Sequence, residues 1–441
     1  MITTVVGRTF LNAFNKEFKK SLSAKEFFEK EYWELFYDHS KYMQWVTNSP
    51  FVQMKKGQKP HLLANDERLE KLANLCEKVE NESPDASFAL GFPASEAKEY
   101  ASTSGLVSDL VIPANAEEIY LSWIGSGLGI GVAGGYNILF DNPRITLQTY
   151  KGWKIYREYL NSDDPVTKRM RGNQVNTWNG QWLTYSFDLG EFRKDFDFRE
   201  LENQGIFKVS ETLVEVNTIN WSNLFFSLSQ QFPGDEMMGY VYGFGQTNKT
   251  IGFIPFHFKS GTNIKQVYKK LFSGKYSNPQ QFESLFGMHI KRACELGSIG
   301  LLALRPDALR KYMTEGKNLP FKNEQDTINY QAYKTWLVAM LSRNKEEIKD
   351  YTPVLAKVLL EYRNSGKGNA RITLVEKGLF NTNSKKEFIS HLTSIAENIV
   401  KNDLNVIQEL KDEVHLMTNE EFGYFNTLLK FDYIYLQRQN N

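Results

Sequence analysis

The stretch Ile119–Phe140 reads IYLSWIGSGLGIGVAGGYNILF, and its 22 residues carry no formal charge. A helix of that length could cross a bilayer. Six of the residues are glycine, however, and glycine adds little apolar transfer energy and has a low helix propensity. We therefore predict no membrane partner. We expect a buried strand, Ile119–Ile124, that runs into a glycine loop.

The glycines of this stretch form a candidate functional loop at Gly125, Gly127, Gly129, Gly131, Gly134 and Gly135. Three of them fit the GxGxxG spacing of dinucleotide-binding loops. Such a loop opens a helix whose free N–H groups bind the pyrophosphate. Here YNILFDNP follows Gly135, which is the pattern of another strand and a turn, so no nucleotide cofactor is expected. The glycines could instead allow close approach to a partner or to a nucleic-acid backbone.

Around this stretch the sequence predicts an α+β fold. At 441 residues the chain is too long for one core, and its 41% hydrophobic residues suit a globular protein. We expect an irregular mixed N-terminal domain over 1–260, with a helical start and a β-rich part over 106–260. A helical bundle over 261–441 should follow. Ser23, three residues before Glu26, predicts an N-cap and capping box for a helix that begins at 24.

Local patterns predict the individual elements. Apolar runs between turn residues predict strands at Leu106–Ile112, Ile119–Ile124, Tyr136–Phe140, Trp182–Phe187, Tyr240–Phe244 and Thr250–Phe258. Helical periodicity predicts one helix or a helix pair at 24–46, and further helices at 66–81, 151–160 and 221–231, in the first domain. In the second domain it predicts helices at 263–273, 278–296, 306–314, 325–343, 353–363, 384–400, 403–414 and 419–437.

Charge is distributed unevenly along the chain. Residues 1–260 carry 27 Lys/Arg and 32 Asp/Glu, whereas residues 261–441 carry 26 and 20. A basic C-terminal part could lie on nucleic acid, although chance asymmetry on solvated helix faces predicts the same numbers. The two cysteines have no CxxC partner, so no zinc ribbon or disulfide framework is expected. Without a recognisable signal peptide, a cytoplasmic location is the expectation.

One motif would support catalysis. Pro84-Asp85 is followed by Glu96-Ala97-Lys98, which matches the PD…ExK spacing of Mg²⁺-dependent nucleases. In that chemistry Asp85 and Glu96 would hold the metal and Lys98 would assist the attacking water. The motif requires a rigid apolar strand, whereas GFPASEAKEYAS has the composition of a loop or helix. Without another catalytic or metal-binding motif, we expect no enzymatic activity, no metal and no cofactor.

The clearest sign of binding is the basic and aromatic segment 142–182. It holds seven Lys/Arg against three acids, with tyrosines and tryptophans between them. Cations would bind phosphates, amides could bond base edges, and an exposed tryptophan could stack on a base. The alternative is that the tryptophans are core and the cations form a solvated edge. The candidate nucleic-acid-binding residues are Lys151, Lys154, Lys168, Arg169, Arg171, Asn173, Gln174, Asn176, Trp178 and Asn179.

Two stretches resemble the large subunit of a type I CRISPR Cascade complex. They are FFEKEYWELFYDHSKYMQWVTNSPF at 27–51 and SKKEFISHLTSIAENIV at 384–400. The resemblance implies a non-catalytic antiviral subunit whose N-terminal domain holds the 5′ end of the guide RNA and reads the target-adjacent motif. Its helical bundle would stabilise the opened DNA of the R-loop.

The partners implied by this resemblance are guide RNA, double-stranded target DNA, other Cascade subunits and a helicase-nuclease recruited in trans. The family offers no universal motif, so the candidate site residues come from the segment 142–182 alone. Two other functions stay open at this point. One is a restriction-type nuclease that uses Asp85, Glu96 and Lys98, and the other is a scaffold that binds only proteins.

Overall fold

Helices dominate the computed structural model, which describes residues 1–46, 49–81, 113–188, 205–243, 249–272, 279–288, 290–341, 345–366 and 368–440. The fold is α+β, as predicted: it is 63% helical, with a small antiparallel sheet of four strands and a helical C-terminal region. Two compact units make up the chain. The N-terminal unit contains Met1–Phe232 and Glu236–Phe256, and the C-terminal unit contains Pro233–Asp235 and His257–Asn441.

The N-terminal unit combines helices with two small sheets. Its helices are α1 (Ile2–Phe18), α2 (Ala24–Phe27), α3 (Trp33–Phe36), α4 (Asn65–Asn81), α5 (Ala116–Gly127), α6 (Pro143–Asn161), α7 (Val175–Asp188) and α8 (Trp221–Gln231). A π-helical turn, Phe28–Tyr32, joins α2 to α3, and 3-10 turns lie at Pro60–Leu62 and Thr167–Arg169. The strands are β1 (Ile130–Val132), β2 (Tyr136–Phe140), β3 (Phe207–Val209), β4 (Val214–Val216), β5 (Glu236–Gly243) and β6 (Lys249–His257).

Local sequence explains where two of these helices begin. The Ser23 hydroxyl accepts from the Glu26 N–H, and the Glu26 carboxylate accepts from the Ser23 N–H, so the predicted capping box is confirmed. Asn115 and Glu118 form the same reciprocal pair at the start of α5. Each box satisfies two N–H groups that the first turn of a helix cannot bond internally.

The stretch Ile119–Phe140 does not begin with a strand. Ile119–Ile124 is helical and lies within α5, and Trp182–Phe187 lies within α7, so both predicted strands are wrong. Both segments are mostly apolar and mostly buried. A short apolar run without a clear period fits a buried helix as well as a buried strand. The predicted strand Leu106–Ile112 lies outside the described residues. In the described part of 106–260, helices therefore replace two of the predicted strands.

The strands predicted at Tyr136–Phe140, Tyr240–Phe244 and Thr250–Phe258 are confirmed as β2, β5 and β6, although β5 begins four residues earlier than predicted. They form a sheet of order β1-β2-β5-β6, and β3 pairs with β4 in a second sheet. In the β1–β2 hairpin Val132 lies opposite Tyr136. The turn between them contains Gly134 and Gly135 at φ of 91° and 75°, a conformation that glycine adopts without strain.

Aromatic rings fill the core of the N-terminal unit. Tyr32 stacks on Phe36 at a centroid distance of 4.1 Å, and the edge of Phe36 meets Trp153 at 4.9 Å. Tyr37 stacks on Phe51 at 4.0 Å, beside Trp123. These rings are nearly fully buried. The stretch 27–51 thus supplies much of the core, which accounts for most of its aromatic content.

The C-terminal unit is helical in its described part. Its helices are α9 (Phe258–Phe272), α10 (Pro279–Ser284), α11 (Ile290–Leu296), α12 (Leu309–Thr314), α13 (Glu324–Met340), α14 (Lys345–Asn364), α15 (Ala370–Ile372), α16 (Lys385–Ala396), α17 (Leu404–Leu416) and α18 (Asn419–Gln439). Each predicted helix overlaps one of these. The helix predicted at 278–296 is instead two, α10 and α11.

A buried polar network links three helices of this unit. The Lys334 Nζ of α13 lies 2.8 Å from Oδ1 of Asp432 on α18, and their side chains are only 9% and 2% exposed. Tyr330 donates to the same oxygen at 2.6 Å, and Thr352 of α14 donates to Oδ2 at 2.7 Å. Three donors therefore bond to a carboxylate whose burial without hydrogen-bond partners would be costly.

Candidate nucleic-acid interface

The predicted segment 142–182 separates into three structural parts. Lys151 and Lys154 lie on α6, the cations from Lys168 to Arg171 lie in the loop between α6 and α7, and Asn176, Trp178 and Asn179 lie on α7. Side chains of the three parts differ in exposure and in their partners. The segment is therefore not one continuous binding surface.

Trp178 and Asn179 belong to the core, so their predicted roles in binding nucleic acid are wrong. Trp178 is fully buried, stacks on Tyr156 at 5.5 Å and donates through Nε1 to the Gly152 carbonyl at 2.7 Å. A base has no access to either face of its ring. The Asn179 side-chain amide donates to the carbonyls of Gly127 and Gly129 at 2.8 and 2.9 Å.

Asn176 and Gln174 also bond within the fold. Asn176 donates to the Gly129 carbonyl at 2.8 Å, and Gln174 accepts from the Val216 N–H at 3.1 Å. The carbonyls that end α5 have no partner in that helix, and the amides of α7 supply one. These amides are in position to stabilise α5, and Gln174 anchors β4. Their predicted contacts with base edges would require these bonds to break.

The predicted glycine loop is a helix end, a strand and a hairpin. Gly125 lies inside α5 where that helix crosses α1, and an added Cβ would overlap the Thr3 carbonyl. Gly127 ends α5, while Gly129 and Gly131 pack against the side chain and backbone of Asn176. These glycines therefore allow other parts of the protein itself to pack closely against them. Gly134 and Gly135 form the exposed hairpin turn, and β2 follows them, so no helix N-terminus is present to bind a pyrophosphate.

The loop before α7 remains available to solvent. Lys168 and Arg171 have side chains that are 59% and 55% exposed, and Asn173 is exposed as well. Lys168 lies 3.1 Å from Asp163, and Arg171 lies 2.8 Å from Glu215. Exposed ion pairs of this kind contribute only about 0–1 kcal/mol, so a phosphate can replace either carboxylate.

Arg169 has a structural role beside its predicted contact with nucleic acid, which stays a prediction. Its guanidinium donates to the carbonyls of Ser210 and Glu211 at 2.6 and 2.7 Å, and to Pro165 at 3.2 Å. These bonds tie the 3-10 turn Thr167–Arg169 to the connection between β3 and β4. Arg169 thereby positions the two exposed cations beside it.

A second segment, 37–46, meets this loop, although none of its residues is among the candidates predicted from the sequence. Lys41 Nζ donates to the Lys168 carbonyl at 2.9 Å, and the Val175 N–H donates to the Met43 carbonyl at 3.3 Å. Trp45 in the same segment is 49% exposed, unlike most tryptophans of the unit. In the sequence, the polar residues near Trp45 were the one sign that its ring is exposed. We name Lys41, Trp45, Lys168, Arg171 and Asn173 the cationic surface.

Buried arginine holds the segment 37–46 in place. Arg157 is 7% exposed and donates through Nε to the Leu35 carbonyl at 2.7 Å, and also to the Lys41 carbonyl at 3.2 Å. Burial lowers the pKa of Arg157 to about 10, so the group stays charged near neutral pH. Arg68 donates to the carbonyls of Tyr37, His39 and Pro60. The segment is thus anchored by cations whose partners are backbone oxygens.

Lys151 and Lys154 lie apart from the cationic surface, toward the middle of α6. Both are exposed, and Lys154 Nζ lies over the Tyr150 ring at 5.0 Å. From Lys154 to the end of α6 the helix rises about 10 Å. These lysines could extend a binding path but do not share contacts with the loop.

The motif Asp85, Glu96 and Lys98 lies outside the described residues. Within the ranges that the structure describes, no cluster of three His, Cys, Asp or Glu could hold a metal ion. In the same ranges, no helix is long and apolar enough to cross a membrane. Comparison with protein-family models, with curated proteins and with solved structures finds no match to this chain.

Proposed function

We propose that this protein binds nucleic acid without catalysis, through the cationic surface of its N-terminal unit. The observation that carries the proposal is the contact between two distant segments, which brings half-buried Lys41 beside the exposed loop before α7. Lys41 from segment 37–46 and Lys168 and Arg171 from the loop before α7 supply three cations, and Trp45 supplies an exposed ring. Cations and an exposed aromatic ring together suit a phosphate backbone with a stacked base.

Hydrogen bonds that hold both segments in place favour a binding surface over the alternative that the cations only form a solvated edge. Arg157, Arg169 and Gln174 each donate to or accept from backbone groups that set the course of these two segments. Because the segments are already ordered, less conformational entropy is lost when a ligand binds. Lys41 also has a lowered pKa, owing to burial and to the nearby Arg157 charge. A phosphate near Lys41 would relieve that repulsion.

Within this class, we further propose a subunit of an RNA-guided DNA-binding complex, similar to the Cascade large subunit. The resemblance of stretches 27–51 and 384–400 supports it, as does the basic C-terminal part of the chain. The partners would be guide RNA, double-stranded DNA, other Cascade subunits and a separate helicase-nuclease. Its location would be cytoplasmic.

The first experiment measures binding of labelled single-stranded and duplex DNA and RNA to the full chain across a salt series. Lys168→Glu/Arg171→Glu should weaken binding strongly and reduce the slope of log K against log salt by about 2. Trp45→Ala should weaken single-strand binding by about 1–3 kcal/mol. Glu215→Gln, which frees Arg171 from its ion pair, should strengthen binding.

The matched control is Lys30→Glu/Lys55→Glu, which reverses two lysines that are 61% and 77% exposed elsewhere on the same unit. Equal affinities for wild type, control and Lys168→Glu/Arg171→Glu would refute the assignment. If the chain binds no nucleic acid but co-purifies with a protein, the scaffold function is supported instead. Sequencing of RNA that co-purifies with the protein tests the finer proposal, which requires repeat-derived guide RNA.

A further inference from the structure

Gly172 brings the two segments of the cationic surface into contact. An added Cβ at position 172 would overlap the Tyr42 carbonyl and would lie 3.0 Å from the Lys41 Cβ. Consecutive Cα atoms are about 3.8 Å apart, so the Arg171 Cα lies within about 10 Å of the Lys41 Cβ. The Lys41 amine also donates to the Lys168 carbonyl at 2.9 Å. The cations therefore start from a small area of backbone, and their packing requires a residue without a side chain at position 172.

This small area suits one phosphate backbone better than two. The two backbones of a duplex are separated by a major groove about 12 Å wide, and many proteins read that groove with a projecting helix or β-ribbon. Lys168 instead lies on the 3-10 turn Thr167–Arg169, and Arg171 follows two residues after it. That turn is bonded to neighbouring backbone through the Arg169 guanidinium. These cations therefore meet a ligand at the protein surface, and they are not carried into a groove.

Acidic residues border the cations. Asp163, whose side chain is 99% exposed, has its Oδ1 3.1 Å from the Lys168 Nζ, and the Glu215 Oε1 lies 2.8 Å from Nη1 of Arg171. Asp164 is exposed next to Asp163. One strand can place its phosphates on the cations between these carboxylates. The second strand of a duplex would bring another row of phosphates toward the carboxylates, and repulsion of this kind discriminates against a partner.

Trp45 supplies a ring that suits an unpaired base. The residue is 49% exposed, and its ring centroid lies 6.3 Å from that of Tyr42, which is only 5% exposed. Two residues before Trp45, the Met43 carbonyl accepts from the Val175 N–H at 3.3 Å, so the segment of Trp45 runs beside the end of the loop. Bases inside a duplex already stack on each other. A ring at the protein surface therefore stacks on the bases of a single strand.

We infer that the cationic surface selects single-stranded nucleic acid over duplex, with Trp45 stacking on one base and Gly172 positioning Lys41 beside the loop. The inference rests on the function proposed above and adds the class of its ligand. The small area of the cations, their acidic border and the exposed ring each favour one strand. Single strands of RNA and DNA share the phosphates and the unpaired bases that this surface contacts.

The test is the affinity of the full chain for a thymidine strand and for the blunt thymidine–adenosine duplex of the same length, at one salt concentration. Wild type should bind the strand roughly tenfold more tightly than the duplex. Trp45→Leu keeps an apolar side chain but removes the ring, so it should weaken strand binding about fivefold or more and reduce the preference for the strand. Asp163→Lys should strengthen duplex binding more than strand binding, because it removes part of the acidic border.

Gly172→Ala should also weaken strand binding, because the added methyl group displaces Lys41. In a Lys41→Gln background the same change should cost less strand affinity, since the displaced cation is already absent. An equal loss in both backgrounds would show that Gly172 only supports the fold and would overturn its positioning role. If Gly172→Ala does not fold, Trp45→Leu and Asp163→Lys decide the inference.

Phe253→Leu is the matched control, because it removes a ring that is 62% exposed on β6, and it should bind both ligands like wild type. Equal affinity of wild type for strand and duplex would overturn this inference and leave the proposed function standing, as would unchanged strand binding in Trp45→Leu. A chain that binds neither ligand would refute the proposed function as well. A uridine strand then separates the two sources. Tighter binding than the thymidine strand supports an RNA ligand, and equal or weaker binding supports a surface that does not read the 2′-hydroxyl.

Discussion

At the scale of single residues, long polar side chains of the N-terminal unit bond mainly to backbone carbonyls. Arg157 donates to Leu35 and Lys41, and Asn179 donates to Gly127 and Gly129. Short helices and irregular connections leave many carbonyl oxygens without an intrahelical partner, and a buried carbonyl needs one. Residues that would suit nucleic acid by type are therefore used to complete the fold.

His39 gives a residue-scale prediction about pH. Its Nδ1 accepts from the Lys41 N–H at 2.9 Å, and the cations Arg157, Lys41 and Arg68 surround it. Burial, with these charges, lowers the pKa of His39 from 6.5 to about 4. Between pH 6.5 and about pH 4, His39 takes up a proton in the unfolded chain but not in the folded chain. Stability from this source is complete above pH 6.5 and is lost as the pH falls toward 4.

Urea unfolding at pH 7.5 and pH 5 measures this effect. The wild type should lose more stability between the two values than His39→Asn, in which the Asn oxygen can still accept from Lys41. His415→Asn, at an exposed position of α17, is the control and should follow wild type. Identical pH profiles for wild type and His39→Asn would contradict the prediction.

At the scale of elements, small residues set how closely α1 and α5 pack. Gly7 on α1 faces the Leu121 carbonyl, and Gly125 on α5 faces the Thr3 carbonyl. Beside them the hydroxyls of Thr3 and Ser122 are 2.8 Å apart. The obstacles to any larger side chain are backbone atoms, which cannot rotate away. The glycine at 125 therefore serves helix packing.

Gly125→Ala should lower the free energy of unfolding by about 1–3 kcal/mol or more, because the added methyl group overpacks the crossing. The matched control is Gly423→Ala on α18, where an added Cβ meets no atom within 4 Å. That change should be neutral or stabilising by up to about 1 kcal/mol, as alanine favours helix. Chemical denaturation measures the free energy of unfolding of both variants. A Gly125→Ala protein as stable as wild type would disprove the close packing of α1 on α5.

At the scale of the whole molecule, each unit has its own core with its own chemistry. The N-terminal unit relies on stacked rings such as Tyr32, Phe36 and Trp153. The C-terminal unit places an ion pair, Lys334 with Asp432, among its central helices. Such a pair adds little net stability by itself but is costly to break, because the remaining charge stays buried.

Asp432→Asn should therefore destabilise the C-terminal unit by about 3–5 kcal/mol. Amide hydrogen exchange should quicken in α13, α14 and α18, which meet at the network, more than in α1 and α5. The double variant Lys334→Met/Asp432→Asn should recover part of the loss, since no unpaired charge is left. If the losses of stability of Lys334→Met and Asp432→Asn, each measured alone, add up to that of the double variant, the result would argue against the pair.

Sequence patterns predicted several elements well. The capping box at Ser23, the helix Trp221–Gln231 and the strand Tyr136–Phe140 each depend on neighbouring residues, and each is confirmed. For the predicted site, the sequence did not show that two of the candidate residues are buried. Trp178 and Asn179 had suitable types and suitable neighbours in the sequence, but local pattern cannot tell which face of a buried helix meets another element. Lys41 and Trp45 lie more than a hundred positions from Lys168, so a pattern of neighbouring residues could not assign them to the same surface.

The sequence by itself determined the α+β class, the helical C-terminal part and most helix positions, because capping and periodicity act within a few residues of each other. Only the tertiary structure decided what Ile119–Phe140 became. Its first half is a helix because Gly125 lets α5 pack closely on α1, and its second half is a hairpin because Gly134 and Gly135 turn it. Contacts with Thr3 and Asn176, at distant positions in the chain, determine that outcome.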